Sequence, residues 1–374
     1  MDSASALRTR LAVTYLLAMA SLGALNPFLA LALEDAGADP AFIPLVVAAF
    51  PLARLTAGPV SGWIADRYAR PDLVLQASTL GAGICAVALG ASPGWVLMAV
   101  AVYALAFCRV PFFPLLDVQI VRTPGGYGTV RVWGSVGFIL AVVAVGSLAD
   151  TLPRFPAWVA AAALLSTFAV TCTLPRGGPA TSDPLLPAFR RLLRIPELRP
   201  LWIVSALHAG ALSTYDHLFS LHVDALGLSA RVVGAGVACG IAVEIVVLAA
   251  GPWLLRRLGA RTLILIAVAT SIPRWIVTGA ATTAVPVAAI QALHGIGFGC
   301  WWIGGIGLLR ELAPEDLRNS AQALFVWAAY GVGALIALTA SSVVLGTLDS
   351  SALFGGLAIM SVAALIAATP LVRR

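Results

Sequence analysis

The chain contains no lysine, and Asp, Glu and Arg together supply only 11% of its 374 residues. So little charge cannot cover a water-soluble particle of this length. With 60% of residues hydrophobic and a mean hydropathy of +0.96, the solvent is lipid. Cysteine is sparse as well. Cys85, Cys108, Cys172, Cys239 and Cys300 stand singly in different apolar runs, which excludes a disulfide framework and paired zinc-ligand spacing. The HExxH and GxSxG patterns and the phosphate-binding glycine loops are missing, so no enzyme activity, metal or cofactor is expected.

What is there is apolar sequence long enough to cross a bilayer, about 20 residues at a time. Twelve spans are expected, near 11–33, 41–65, 72–91, 95–118, 132–149, 156–174, 200–223, 230–254, 262–281, 284–309, 319–345 and 351–371. Arginine sets the orientation. With the N-terminus inside, 18 of the 23 arginines fall in cytoplasmic segments and only Arg154 and Arg231 outside, which puts both termini in the cytoplasm. The net charge of +6 is thereby a matter of topology and gives no reason to expect a nucleic-acid partner. No cleavable signal is read at the N-terminus, because the first apolar run is too long for one. The expected setting is the inner, cytoplasmic membrane.

The longest interruption, PRGGPATSDPLLPAFRRLLRIPELRP, divides the chain into a six-helix half at 1–174, a cytoplasmic linker at 175–199 and a second six-helix half at 200–374. Within the linker, LLPAFRRLLRI is basic and amphipathic, as expected of a helix lying on anionic membrane lipid or of a simple connector. GWIADRYAR after span two and GPWLLRRLGAR after span eight are offset by 189 residues, which reads as an internal repeat. Secondary transporters are commonly built from two such halves.

GWIADRYAR, with Gly62, Asp66, Arg67 and Arg70, resembles the loop between helices two and three of the major facilitator superfamily. Within it, YGTVRVWGSVG, PLLD, ACGIAVEIVVL, PRWIVTG and IQALHGIGFG resemble helices five, four, eight, nine and ten of the group that holds the 3-phenylpropionate permeases, lactose permease and nucleoside–proton symporters. The resemblance implies an all-α, twelve-helix, two-half facilitator fold. It also implies a gating cluster of Asp66, Arg67 and Arg70, with Arg131 at the start of helix five. The second-half copy has Leu255 at the aspartate position.

Charge inside a span is costly, roughly 2.5–3.5 kcal/mol at the bilayer centre on insertion scales, so it marks partners or a water path. Arg54, Arg109, Glu244, Arg274 and His294 qualify, with Asp117 nearer the cytoplasmic end of helix four. Arg54 and Glu244 are about half a chain apart and read as substrate contacts or as a brace. Arg109 and Asp117 read as a structural or gating pair. Lactose permease carries a glutamate, an arginine and a histidine in the helices of Glu244, Arg274 and His294. By that resemblance Glu244 binds substrate, and the three together handle the proton. One departure is Gly297, where that permease has its proton-carrying carboxylate. Either Glu244 carries the proton, or the protein is a uniporter or exchanger. GxxxG pairs at Gly58/Gly62, Gly236/Gly240 and Gly295/Gly299 allow close helix approach.

Three of the four histidines lie in SALHAGALSTYDHLFSLHVD. His208, Tyr215 and His222 recur by sevens and share a helical stripe, but at 1.5 Å rise per residue they lie about 10 Å apart, too far to share a metal ion. The stripe reads as a cavity-facing row, with His208 and Tyr215 touching substrate and Asp216, His217, His222 and Asp224 nearer the outer mouth. The expected function is secondary active transport of a small polar or anionic organic solute by alternating access and proton symport, acting as a monomer. Asn26, before Pro27, and Trp301 complete the substrate contacts. Alternatives are proton-driven efflux of amphipathic compounds, favoured by Trp301 and Trp302, and, outside transport, a membrane sensor or an intramembrane enzyme.

Overall fold

The computed structural model describes residues 3–57, 70–121, 127–175 and 185–372, and every regular element among them is helical. The chain divides into two units, one of Met1–Ser182 with Ser229–Gly234, the other of Asp183–Leu228 with Ala235–Arg374. The first unit contains α1 (Ser3–Leu25), α2 (Leu29–Asp35), α3 (Ile43–Ala57), α4 (Pro71–Ala91), α5 (Trp95–Arg109), α6 (Phe112–Val121), α7 (Tyr127–Gly146) and α8 (Phe155–Thr171). There follow α9 (Leu185–Leu193), α10 (Arg199–Ala225), α11 (Ala230–Ala249), α12 (Gly251–Leu258), α13 (Ala260–Ala280), α14 (Ala284–Ala289), α15 (Ala292–Leu312), α16 (Arg318–Trp327), α17 (Ala334–Thr347) and α18 (Ser350–Val372).

Among the described residues eight helices or helix pairs are long and apolar enough to cross a membrane, and nine if α1 and α2, bent by 42°, count as one. Other expected spans are helical but shorter or more polar: Ile43–Ala57, Phe155–Thr171 and the 27-residue α10. Prolines account for several boundaries. Pro44, Pro71, Pro156, Pro200 and Pro252 sit in first turns, where a missing N–H breaks no helical bond. The expected span 95–118 is interrupted at Val110 and Pro111, between α5 and α6.

The repeat is visible in the helix ends. α2 closes with Gly37 at φ +89°, its N–H on Glu34 O and that of Ala38 on Leu33 O; α10 closes with Gly227 at φ +69°, its N–H on Asp224 O and that of Leu228 on Val223 O. Both are Schellman caps, which need a residue without Cβ strain in the left-handed region. They stand 190 positions apart, 37 to 227.

In the first unit α1 packs along α7 and α8, and α4 packs on α5 and α8. Gly137 makes the α1 contact possible, because a Cβ there would lie 2.1 Å from Leu16 O. Around it Leu11, Tyr15, Leu75, Phe112, Leu116 and Ile120 form the core. In the second unit α13 packs on α15 and α18, and α10 on α17 and α18. Between α16 and α17 lies a six-residue π turn, Ala328–Gly333, pressed onto α10 where Gly333 meets Ala206 O. The interfacial helix expected in the linker is present as α9, but Ala188 and Leu192 are buried in the core of the second unit. Its arginines stay outside that core, and Arg191 pairs with Asp316 at 3.2 Å, both side chains exposed.

Candidate functional site

In the second unit the polar side chains of α10, α11, α13 and α15 form one connected group. Arg274, which follows Pro273 in α13, has no exposed surface. Its Nε donates to Gln291 Oε1 at 3.0 Å, and its guanidinium lies 4.0 Å from the Tyr215 ring centre and 4.1 Å from that of Trp275. Among the described residues no carboxylate reaches it within 4.0 Å. Asp216 lies within Coulombic reach. Facing aromatic rings compensate part of the desolvation of a buried cation, by about 2 kcal/mol at such sites.

Gln291 was not singled out from the sequence. It stands at the break between α14 and α15, and its Nε2 donates to Thr278 Oγ1 at 3.1 Å and Val287 O at 2.9 Å. These bonds orient the amide so that its oxygen faces Arg274. Three residues on, His294 Nε2 lies 4.0 Å from Glu244 Oε2, with the two side chains only 10% and 13% exposed. The pair exists because α11 and α15 touch through glycine. A Cβ on Gly295 would lie 2.3 Å from Glu244 N and 2.5 Å from Gly240 O, and one on Gly299 2.6 Å from Val247 Cγ1.

The structure therefore brings Glu244, Arg274, His294 and Tyr215 together, with the Tyr215 and His294 rings 5.6 Å apart. His208 joins this group less directly, tilted against Trp301 at 5.8 Å. A Cβ added at Gly297 would meet Ser271 Oγ at 3.3 Å and His208 Cε1 at 3.8 Å, so the position of the missing carboxylate faces those two side chains. Arg274 Nη1 and Nη2, Tyr215 Oη, both His208 nitrogens and His294 Nδ1 are buried polar atoms, with Tyr215 beside Arg274 and His208 beside the backbone of Gly297. Buried polar groups are nearly always hydrogen-bonded, so these side chains form a polar region inside an otherwise apolar unit.

Other expected residues have different surroundings. Trp301 has no exposed surface, donates its indole N–H to Ser205 Oγ at 3.2 Å and stacks on Phe325 at 4.8 Å, so it is part of the core of the second unit. His222 is also structural. Its Nε2–H donates to Thr278 O at 2.8 Å and its Nδ1 accepts from Ser350 Oγ at 2.9 Å, joining α10 to α13 and to the start of α18. His217 Nδ1–H donates to Ser213 O at 2.8 Å. The shared stripe thus holds one histidine near the polar group and one spent on helix packing.

In the first unit Asn26 occupies the break between α1 and α2, and its Oδ1 accepts a long 3.5 Å bond from Arg109 Nη1. Arg109 makes no ion pair with Asp117. Eight residues of helix set the two about 12 Å apart along the axis, and the Arg109 guanidinium lies 5.1 Å from the Phe50 ring centre. Arg54 is one turn beyond Phe50 on α3 and exposed. Arg131 lies over the Tyr15 ring at 5.1 Å, and Arg70 pairs with Asp72 at 3.0 Å at the start of α4. Asp66 and Arg67 lie outside the described residues.

Three comparisons bear on this arrangement. A family profile described as "MFS_1 like family" matches residues 8–354. The chain is 30% identical over 340 residues to a maltose permease of Geobacillus stearothermophilus, covering 88% of this chain and 86% of the relative. It is 29% identical over 345 residues to a protein of Escherichia coli (strain K12) described as "Probable 3-phenylpropionic acid transporter", covering 88% of each. The fold matches the solved nucleoside transporter NupG with a TM-score of 0.86 at 18% identity over the full length of both chains. An auto-inhibited POT family peptide transporter matches with a TM-score of 0.79 at 14% identity, over 98% of this chain and 97% of that one.

Proposed function

We propose, from the premise that this chain belongs to the MFS_1-like family and is a multi-pass membrane transporter of small solutes, that it carries a small polar or anionic organic solute by alternating access with proton symport. The observation that carries the coupling is the Glu244–His294 pair at 4.0 Å beside the fully buried Arg274. A carboxylate and an imidazole at that separation can exchange a proton through small side-chain movements or one water. A buried cation nearby makes the charge state of the pair matter to the helices around it. Tyr215 and Gln291 hold Arg274 in place. Occupation by solute and protonation of Glu244 then favour the same arrangement of the second unit, which is the thermodynamic content of symport.

The arginine distribution supports an orientation with both termini cytoplasmic, and the proposed setting is a single chain in the inner membrane. The test begins with a thermal-shift screen of detergent-solubilised protein against carboxylates, sugars, nucleosides and cationic drugs, because ligands raise native-state stability. Uptake of the stabilising compound is then followed in liposomes under an imposed pH gradient. Glu244→Gln is expected to abolish concentrative uptake while retaining exchange. Accumulation by that variant equal to wild type removes Glu244 from coupling, and stabilisation by cationic amphiphiles alone replaces symport with efflux.

A further inference from the structure

The helix α9 turns three different faces to its surroundings. At about 100° per residue, Ala188 and Leu192 point into the core of the second unit and are buried there. Phe189, Leu193 and Leu186 fall in the neighbouring sector, within about 60° of one another. Leu186 and Leu193 are 62% and 49% exposed, and the Phe189 ring lies 6.1 Å from that of Trp327, itself 36% exposed. Arg190 and Arg194 come next around the helix, both exposed and four residues apart, so they share a face. The turn that follows α9 carries Arg194, its N–H on Arg191 O at 3.2 Å.

Two other arginines at this end have partners within the protein. Arg191 pairs with Asp316, and Arg199 Nε donates to Leu193 O at 3.3 Å, at the C-terminal end of α9 where a cation is favoured. Residues 185–195 include three arginines and no acid. The leucine sector and the arginine face call for different solvents. Water alone leaves Leu186 and Leu193 exposed, and hydrocarbon alone strands the charges. A bilayer surface supplies both, because an interfacial helix buries its apolar side about 5–10 Å deep at the boundary of headgroups and acyl chains. α9 stands between α8 and α10, in the regions of the sixth and seventh expected spans, so the chain delivers it to such a surface. Lipid phosphate binds guanidinium through charge-assisted hydrogen bonds, while the acyl chains cover Leu186, Leu193 and Trp327. Free phosphate or an acidic peptide would meet the arginines but leave the leucine sector bare.

We propose that the face of Arg190 and Arg194, with the adjoining leucines, is a seat for an anionic phospholipid. Lipid bound there stabilises the second unit, because Ala188 and Leu192 tie α9 to its core. Which leaflet supplies the lipid rests on the orientation proposed above; the seat itself does not. The test titrates purified full-length protein in neutral detergent with dioleoyl phosphatidylglycerol, with dioleoyl phosphatidylcholine, or with glycerol 3-phosphate as the free headgroup. The melting temperature is read at about 0.1 M and about 1 M salt, between which the screening length falls from about 10 Å to about 3 Å.

Phosphatidylglycerol is expected to raise the melting temperature more than phosphatidylcholine, the excess to shrink in high salt, and glycerol 3-phosphate to have no effect. Arg190→Gln and Arg194→Gln should each raise the phosphatidylglycerol concentration for a half-maximal shift about fivefold, and the double variant about 25-fold. Lysine at both positions should restore part of the loss, and Arg231→Gln, an exposed arginine at the start of α11, should change nothing. Because Arg190 and Arg194 are exposed, the lipid-free variants should melt as wild type does, so folding does not confound the comparison. Leu193→Ser should weaken both lipids alike and keep the preference between them. The proposal is overturned when the two lipids shift melting equally, when glycerol 3-phosphate reproduces the effect, or when the double variant responds as wild type does. Since no arm of the experiment reads transport, failure of the symport reading leaves the seat standing, and failure of the seat leaves symport untouched.

Discussion

Gly295→Ala is the smallest change that should separate the Glu244–His294 pair without touching either side chain. A methyl on Gly295 would sit 2.3 Å from Glu244 N and 2.5 Å from Gly240 O, whereas ordinary contact begins at 3.4 Å. Both atoms are backbone, so no rotamer relieves the clash, and α11 and α15 must part by about the difference, roughly 1 Å. The 4.0 Å carboxylate–imidazole separation then becomes about 5 Å. Their attraction in the charged state falls by about a fifth, in inverse proportion to distance.

Overpacking of this kind costs about 1–3 kcal/mol, which for a unit of this size lowers the melting temperature by about 2–4 °C per kcal/mol. The assay is thermal unfolding in detergent alongside proton-driven uptake in liposomes, with Gly355→Ala as control. Gly355 lies within α18 with nothing inside 4 Å of its added carbon, so alanine there should be neutral or stabilising. The expected result is a lower melting point and reduced accumulation for Gly295→Ala only. Equal melting of the two variants, to about 1 °C, together with unchanged accumulation, would refute the claim that the glycine seam sets the pair distance.

Two further substitutions test parts of the second unit. Gln291→Leu leaves the buried Arg274 Nε without its acceptor and Val287 O without its side-chain donor, and should cost roughly 1.5–3 kcal/mol, seen as a lower melting temperature. His222→Phe keeps an aromatic ring, slightly larger, but removes the bonds to Thr278 O and Ser350 Oγ, and should destabilise by about 1–3 kcal/mol while leaving the affinity of a stabilising ligand unchanged; a large affinity loss without destabilisation would place His222 on the substrate path.

Hydrophobic run length made the helical fold legible, because lipid requires each crossing segment to satisfy its own backbone. The charges of the site were legible for the converse reason: Glu244, Arg274 and His294 interrupt apolar runs where interruption is costly. Gln291 escaped notice because an amide barely changes the hydropathy of IQALHGIGFG, and nothing in that stretch marks the break after Ile290 that aims it at Arg274. Periodicity placed His208, Tyr215 and His222 on one stripe but could not say what each meets along it. That depends on α13 and α18, more than fifty residues away. The Arg109–Asp117 pairing rested on their sharing one helix face, but eight residues span about 12 Å of rise, more than a direct ion pair bridges.

The π turn at Ala328–Gly333 means that the stretch from Arg318 to Thr347 contains more chain than an unbroken α-helix of the same path would need. Such slack is extra chain that the turn stores without breaking the helix on either side of it. Gly333 lets the turn lie directly against Ala206 O of α10. A side chain at 333 would do more than crowd the contact, because pushing α10 away would take from the widened turn the neighbour it is packed against.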